Sequence, residues 1–275
     1  MTSALLLAIA INSLSSPMIA FKQSVSVWTI GNVQGTLRQV DAPSSVSEGA
    51  FLNGNFVLVT DAGKVYEYKN KIGEFAEAGK VKSEGRSDLL SVCASRTNLY
   101  VLWLGDDYSL IVDCYSKAYQ KESEFIVSQH FRQGIMDNIH ILDNVILRVS
   151  PSGKKLSVSY TDIESREPQT VLFDLQNSTP RTQWITAKFV VGFVSELPVT
   201  MDKIGLVSVG NQVIDGKSKK FIAANGQIIV VGLEREGGFS IYGASNREGK
   251  FNLQNYGLPE LLGKKTYSIL SSVLE

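Results

Sequence analysis

The chain has 275 residues, of which 44% are hydrophobic and 20% charged, and its 27 basic residues cancel its 27 acidic ones. A formal charge of zero gives the chain as a whole no field that draws it to nucleic acid or to an anionic membrane. No apolar run approaches the about 18 residues that a membrane-spanning helix needs, so neither a bilayer nor a charged polymer is the default partner.

The first element is the apolar run Ala4 to Ile11, followed by Asn12-Ser13-Leu14-Ser15-Ser16. A secretory signal has an apolar stretch of this kind, but it also has a positively charged leading segment, and here no Lys or Arg precedes Lys22. The run is therefore read as the first strand of a first repeat. Met18 to Phe21 follows as a second strand, Lys22-Gln23-Ser24 as a short turn, Val25 to Trp28 as a third strand, and Thr36 to Val40 as an outer fourth. The next repeat is clearer. Gly49 to Asn53 and Phe56 to Val59 are strands, Asp61-Ala62-Gly63 turns, and Lys64 to Lys69 returns, with Glu74 to Val81 outside it. Asp and Gly suit such a turn because Asp bonds nearby backbone and Gly accepts positive φ.

The third repeat runs Leu89 to Ala94, Leu99 to Leu104, a turn at Gly105-Asp106-Asp107, Ser109 to Tyr115, and Glu124 to Val127. The fourth runs Ile139 to Leu142, Val145 to Val149, a turn at Ser150-Pro151-Ser152-Gly153, Lys155 to Thr161, and Thr170 to Phe173. Between Thr186 and Val213, Phe189 to Val194 and Gly205 to Val209 mark a fifth. The sixth has Phe221 to Ala224, Ile228 to Leu233, a turn over 234–238, and Phe239 to Tyr242. Helical periodicity is weak throughout. Pro259-Glu260-Leu261-Leu262 could open one helical turn, and Tyr267 to Leu274 reads as a strand or a short helix.

A short strand ending in an aromatic residue recurs through these repeats: Val25-Ser26-Val27-Trp28, Val65-Tyr66-Glu67-Tyr68, Val112-Asp113-Cys114-Tyr115, Leu156-Ser157-Val158-Ser159-Tyr160 and Phe239-Ser240-Ile241-Tyr242. The aromatics follow one another at about 40–47 residues, with about twice that before the last, and strands repeating at this period are the signature of a β-propeller blade. The expectation is an all-β chain, a single β-propeller over 1–275 with six or seven blades of four-stranded antiparallel sheets. The blades divide at roughly 1–40, 41–82, 83–128, 129–176, 177–215 and 216–275. A strand from Tyr267 to Leu274 would latch the two chain ends; a seventh blade would combine that segment with the N-terminal strand. Cys93 and Cys114 fall on the first and third strands of one blade, about twice 4.8 Å apart, beyond the about 7 Å that a disulfide spans between Cα atoms. Two free thiols favour a reducing compartment.

The repeat length and the strand ending in Val25-Ser26-Val27-Trp28, with Tyr68, Tyr115, Tyr160 and Tyr242 in the same place, resemble the WD-repeat propeller family in degenerate form, without its Trp-Asp and Gly-His pairs. The resemblance covers most of the chain. It implies a rigid, non-catalytic platform like the propeller subunits of large eukaryotic assemblies, among them those that process pre-ribosomal RNA.

No residue set points to catalysis, a cofactor or a metal. His130 lies in a polar connector and His140 in an apolar run, without the Cys or carboxylate spacing of a zinc site. Asp106 and Asp107 are adjacent on a hairpin tip and point apart. Gly31 to Gly35 is a turn without the strand-to-helix setting of a phosphate loop. Trp28, Trp103 and Trp184 read as packing residues, with Trp184 a binding anchor if exposed. Lys69-Asn70-Lys71, Lys217-Ser218-Lys219-Lys220 and Lys264-Lys265 read as solvated turns, with a weak RNA phosphate contact through Lys217, Lys219 and Lys220 as the sharper alternative. The functional expectation is a protein–protein interaction scaffold, nuclear or cytoplasmic, whose partners are other proteins of a multi-subunit complex, with no membrane and no small molecule. The alternative is a secreted or lumenal propeller, a binding module or a hydrolase, that uses the N-terminal run as a signal and Asn177 as a glycan site.

Overall fold

A computed structural model describes residues 18–32, 37–44, 47–130, 143–162, 165–176, 181–215, 219–224, 228–233, 239–247, 250–255 and 271–274. Among them the chain forms twenty-four strands and a single 3₁₀ turn at Ser128–His130. The strands pair antiparallel into six four-stranded sheets. Five sheets are each cut from one continuous stretch of chain: β4–β7 (Ser47–Leu52, Asn55–Thr60, Lys64–Lys69, Glu74–Lys80), β8–β11 (Arg86–Ala94, Leu99–Gly105, Leu110–Tyr115, Lys121–Ile126), β12–β15 (Asp143–Val149, Lys155–Thr161, Pro168–Asp174, Arg181–Thr186), β16–β19 (Lys188–Val194, Leu197–Asp202, Val207–Val209, Gln212–Asp215) and β20–β23 (Lys219–Ala224, Ile228–Leu233, Phe239–Arg247, Lys250–Asn255). The sixth is composite. β1–β3 (Met18–Ser24, Val27–Asn32, Leu37–Asp41) receive β24 (Ser271–Leu274) as their first strand, with Ile19 opposite Leu274 and Lys22 opposite Ser271.

The first strands touch in cyclic order, β24 with β4, β4 with β8, then β12, β16, β20 and back to β24. A ring of sheets about a shared axis is the propeller arrangement, which leaves only the short outer edges open. The C-terminal strand latches the ring to the N-terminal sheet, and among the described residues there is no seventh sheet.

The aromatic landmark marks hairpins and not the rank of a strand within its sheet, and three expectations are corrected on that account. Val25 and Ser26 form the turn between β1 and β2, so Trp28 stands near the start of its strand and not at the end. β1 continues through Lys22 to Ser24 because Lys22 is buried, its Nζ donating to Ser47 O (2.6 Å) and to Glu48 Oε1 (2.7 Å) across the seam to the next sheet. In the fourth repeat Tyr160 is on the second strand, the 150–154 turn joins strands one and two, and 170–173 belongs to the third strand. Arg181–Thr186 is the outer strand, which carries that sheet ten residues past the expected boundary at 176. Alternating apolar residues look alike in any of the inner three strands. Tyr242 stands in the middle of β22, not at its end. The runs Ala4 to Ile11, Ile139 to Leu142 and 259–262 lie outside the described residues.

The seams between sheets hold the core. Trp28 and Phe56 pack at 5.1 Å between ring centroids across the first seam. A Cβ on Gly49 would lie 2.5 Å from the Phe56 ring and 3.0 Å from Trp28, so glycine is what lets β4 approach. Trp103, Val101, Val57 and Val59 fill the second seam; Leu102, Val112, Leu147 and Val158 fill the third. Buried hydroxyls bridge adjacent sheets as well: Leu147 N donates to Ser91 Oγ (3.0 Å), Val190 N donates to Ser159 Oγ (2.9 Å), and Thr170 Oγ1 donates to Lys188 O (2.8 Å). Each supplies a partner to a backbone group that would otherwise be buried unpaired.

Tyr100 on β9 is paired with Cys93 on one side and Cys114 on the other. Both thiols are free and buried, and burial pushes both up from the ordinary thiol range. The folded protein is expected to leave them unmodified by a thiol reagent at pH 8 and to release both on unfolding; rapid native-state labelling at either would contradict the packing. The sign of their linkage follows: above about pH 8.5 the unfolded chain loses protons that the folded one keeps, so stability falls as pH rises.

Candidate protein-interaction surface

In a four-stranded meander the second-to-third and fourth-to-first turns lie at one end of the sheet, and the first-to-second and third-to-fourth turns at the other. Contacts between sheets show that the first five sheets share this sense. Lys203 and Glu167, from second-to-third turns of neighbouring sheets, form an ion pair. At the opposite end Arg96 N donates to Pro151 O (3.3 Å), joining two first-to-second turns. The ring thus has two distinct faces, called here the 2–3 face and the 1–2 face after their turns.

On the 2–3 face four consecutive sheets begin this turn with an Asp that caps its own backbone. Asp61 Oδ1 accepts from Ala62 N (2.8 Å), Asp107 Oδ1 from Ser109 N (3.0 Å), Asp162 Oδ2 from Ser165 N (3.2 Å), and Asp202 Oδ1 from Leu206 N (2.8 Å). The Ser109 hydroxyl and amide hold the Asp107 carboxyl below the usual carboxylate range. These acids fix the turns, as Asp does in Asx turns, and the turns then raise apolar side chains into solvent. Val25 is 59% exposed, Tyr108 61% and Ile204 69%, on the first, third and fifth sheets. Tyr108 adopts φ 63, a left-handed conformation uncommon for a side-chain-bearing residue, held by its N–H donating to Gly105 O (2.9 Å). A strained, exposed aromatic is the kind of outlier that argues for use.

Behind this face the connector into the third sheet is fastened down. Lys82 Nζ donates to Asp61 O (2.8 Å) and Ser87 O (3.0 Å) and stands 5.7 Å from the Trp103 ring centre. Arg86 clasps Asp113, whose side chain is fully buried, through Nε to Oδ2 (3.1 Å) and Nη2 to Oδ1 (2.9 Å). Lys121 Nζ lies 3.0 Å from Asp113 Oδ1, and Tyr115 OH donates to Asp113 Oδ2 (3.2 Å) and to Val81 O. This cluster ties the connector that enters the third sheet to β10 and β11.

Several residues singled out in the sequence are placed by the structure. Trp28 and Trp103 are fully buried. Trp184 is half-buried on β15, packed at the edge of the third seam, so it is no exposed anchor. Asp106 and Asp107 are exposed on the β9–β10 turn. His130 ends the 3₁₀ turn, while His140, Asn177 and Lys217 lie outside the described residues. Lys219 and Lys220 open β20. Among the described residues no group of His, Cys, Asp and Glu is arranged to hold a metal, and no helix is long and apolar enough to cross a membrane. The apolar tips were missed by sequence reasoning. The signal was there in Asp-Asp-Tyr and Lys-Ile-Gly, large apolar residues set inside polar turns.

A scan of protein-family models and a search of curated proteins return no match. Among solved structures, the chain is similar to TolB from Acinetobacter baumannii, with a TM-score of 0.52 and 12% identity over 94% of this chain and 66% of that one. The chain thus spans just under two thirds of that protein's length. It is also similar to the β-propeller domain of Swd1 from Myceliophteria thermophila (TM-score 0.49, 10% identity, 90% of this chain and 85% of that one). A third similarity is to KlAtg21 in its complex with the coiled coil of AgAtg16 (TM-score 0.44, 9% identity, 86% and 97%). These neighbours are WD-repeat-like β-propellers, and identities this low carry the fold alone.

Proposed function

We propose that the protein is a non-catalytic scaffold, a subunit of a multiprotein assembly, that holds a partner protein against its 2–3 face. The observation that carries this is the display of Val25, Tyr108 and Ile204 at equivalent turns of alternate sheets, the Tyr108 and Ile204 turns being held by the Asp107 and Asp202 caps. Tyr is among the residue types that protein interfaces favour as hot spots, and the exposed Val25 and Ile204 add apolar area on the same face. Two buried free thiols fit a reducing compartment, and we assign the protein to the nucleus or cytoplasm. A role in a complex such as one that processes pre-ribosomal RNA is our reading by class analogy, to be checked by where the tagged protein localises.

The test is affinity capture of the tagged chain from native extract with identification of what comes with it. A V25D/Y108D/I204D variant, altered only at exposed turn positions, is expected to keep the wild-type melting temperature and to weaken capture of a direct partner by about a hundredfold or more, since each hot-spot loss exceeds about 1 kcal/mol. A monodisperse monomer with no stable partner, or unchanged capture by the variant, would overturn the reading.

A further inference from the structure

The zero net charge of the chain conceals a division between the two ends of the ring. On the 1–2 face, the turns 53–54, 70–73, 95–98, 116–120 and 150–154 of the second, third and fourth sheets contain Lys71, Arg96, Lys117 and Lys154, and no Asp or Glu. All four are exposed, and none makes an ion pair among the described residues. On the 2–3 face of the same three sheets, Asp61, Asp106, Asp107, Asp162 and Glu167 stand against Arg166 in the second-to-third turns.

The four cations belong to one arc. Lys117 Nζ donates to Asn53 Oδ1 (3.4 Å), which ties the third sheet's outer turn to the second sheet's inner one. The Arg96–Pro151 backbone bond ties the third sheet to the fourth, where Lys154 follows. At the other limit Arg38 Nη1 approaches Gly73, 3.6 Å from where a Cβ would stand, and brings a further exposed cation beside Lys71. Within the arc Ile72 is 66% exposed.

We infer that the 1–2 face of the second to fourth sheets is a second docking surface, and that it takes an acidic peptide segment of a partner protein that carries an apolar residue for Ile72. Three observations favour such a peptide over RNA. The turns offer no exposed aromatic for a base to stack on: Tyr119 is half-buried, its ring lies against Gly79, and its hydroxyl donates to Glu67 (2.8 Å). Exposed Glu74 and Glu122 at the margins interrupt any continuous phosphate track, whereas discrete carboxylates can be spaced to avoid them. An exposed Ile among lysines serves an apolar side chain and not a phosphodiester. Complementary charge across such a surface supplies register and association rate, and the apolar contact holds the complex. The inference goes beyond the scaffold reading of the 2–3 face and stands on different residues.

The experiment measures fluorescence anisotropy of three labelled probes with the purified full chain: a Glu/Asp-rich peptide with one Leu, the same peptide with Ser in place of Leu, and oligouridylate. The Leu peptide is expected to bind saturably and to weaken as salt rises. K71E/R96E/K117E/K154E is expected to weaken it by about tenfold or more. I72S is expected to bring it down to the level of the Ser peptide. Circular dichroism and melting temperature report whether these exposed variants keep the fold, and V25D/Y108D/I204D is expected to bind the peptide as wild type does. Equal binding by the quadruple variant, absence of binding by the Leu peptide, or tighter binding of oligouridylate would overturn the inference; the last would mark the face as an RNA surface. Partner capture through the 2–3 face is read separately and survives any of these results.

Discussion

A chain ended at Leu270 is expected to lose most of its cooperative stability. The truncation removes β24, only four residues, yet those residues pair with Ile19 to Lys22 of β1 and touch both β20 and β4. Without them β1 has an open edge facing the axis, the ring has a gap, and the composite sheet is left with three strands. Buried strand edges with unpaired N–H and C=O groups are costly, and an exposed edge templates association with other chains. The expected result is a large fall in the urea midpoint, a broadened transition and concentration-dependent aggregation. A synthetic peptide spanning residues 267–275 is expected to restore part of the midpoint by binding only the folded ring. An unchanged midpoint in the truncated chain would show that closure depends on other contacts.

The second large effect is expected at Asp113. Its carboxylate is fully buried, and the Arg86 side chain that grips it is only 7% exposed. Asp113→Ala leaves Arg86 and Lys121 facing each other with only the exposed Glu124 between them. Removing one partner of a buried ion pair costs about 3–5 kcal/mol, because the remaining charge stays buried. Asp113→Asn keeps a hydrogen-bond acceptor for Arg86 and is expected to lose less. Equilibrium urea unfolding decides the order, and a loss under about 1 kcal/mol for the alanine variant would mean that solvent reaches the cluster.

The same cluster sets a pH dependence. The hydrogen bonds that Arg86 donates to Asp113 raise Arg86 against the pull of burial. Burial draws Lys121 down, but its bonds to Glu124 and Asp113 outweigh that and leave it raised. The bond from Lys121 holds Glu124 below the usual carboxylate range. A depressed carboxyl contributes stability above its unfolded value of about 4.3 and loses it as pH falls toward the folded value. A raised ammonium contributes below its unfolded value of about 10.4 and loses it as pH rises further. The Lys121–Glu124 pair therefore supports the fold across neutral pH and yields on the acid side as Glu124 takes up a proton, and wild type is expected to lose slightly more stability than Glu124→Gln between pH 6 and pH 3.

Much of this architecture was legible because its causes are local. Alternating β-branched residues, Asp and Gly at the tips, and an aromatic landmark about once per blade define hairpins without reference to the rest of the chain. In the second and third sheets, where Asp61-Ala62-Gly63 and Gly105-Asp106-Asp107 carry that turn chemistry, every strand falls in the rank the sequence assigns it. The fourth repeat went astray because its turn signal, Ser150-Pro151-Ser152-Gly153, lies one hairpin earlier than the matching signals before it, and a hairpin does not carry its own rank. Trp184, set after a polar stretch, reads first as packing, and the anchor alternative closes only when the third seam is seen to half-bury it.

The sequence by itself determined that the chain folds as repeated antiparallel sheets, that Cys93 and Cys114 stay apart, and which residues make the second-to-third turns of the second and third sheets, since these depend on neighbours a few positions away or on one strand spacing. Only the tertiary structure decided that residues 271–274 complete the first sheet, that Val25, Tyr108 and Ile204 share one face, and that Lys71, Arg96, Lys117 and Lys154 share the other. Those relations are between residues far apart in the chain, and they come into being only when the ring closes and gives every turn a common end.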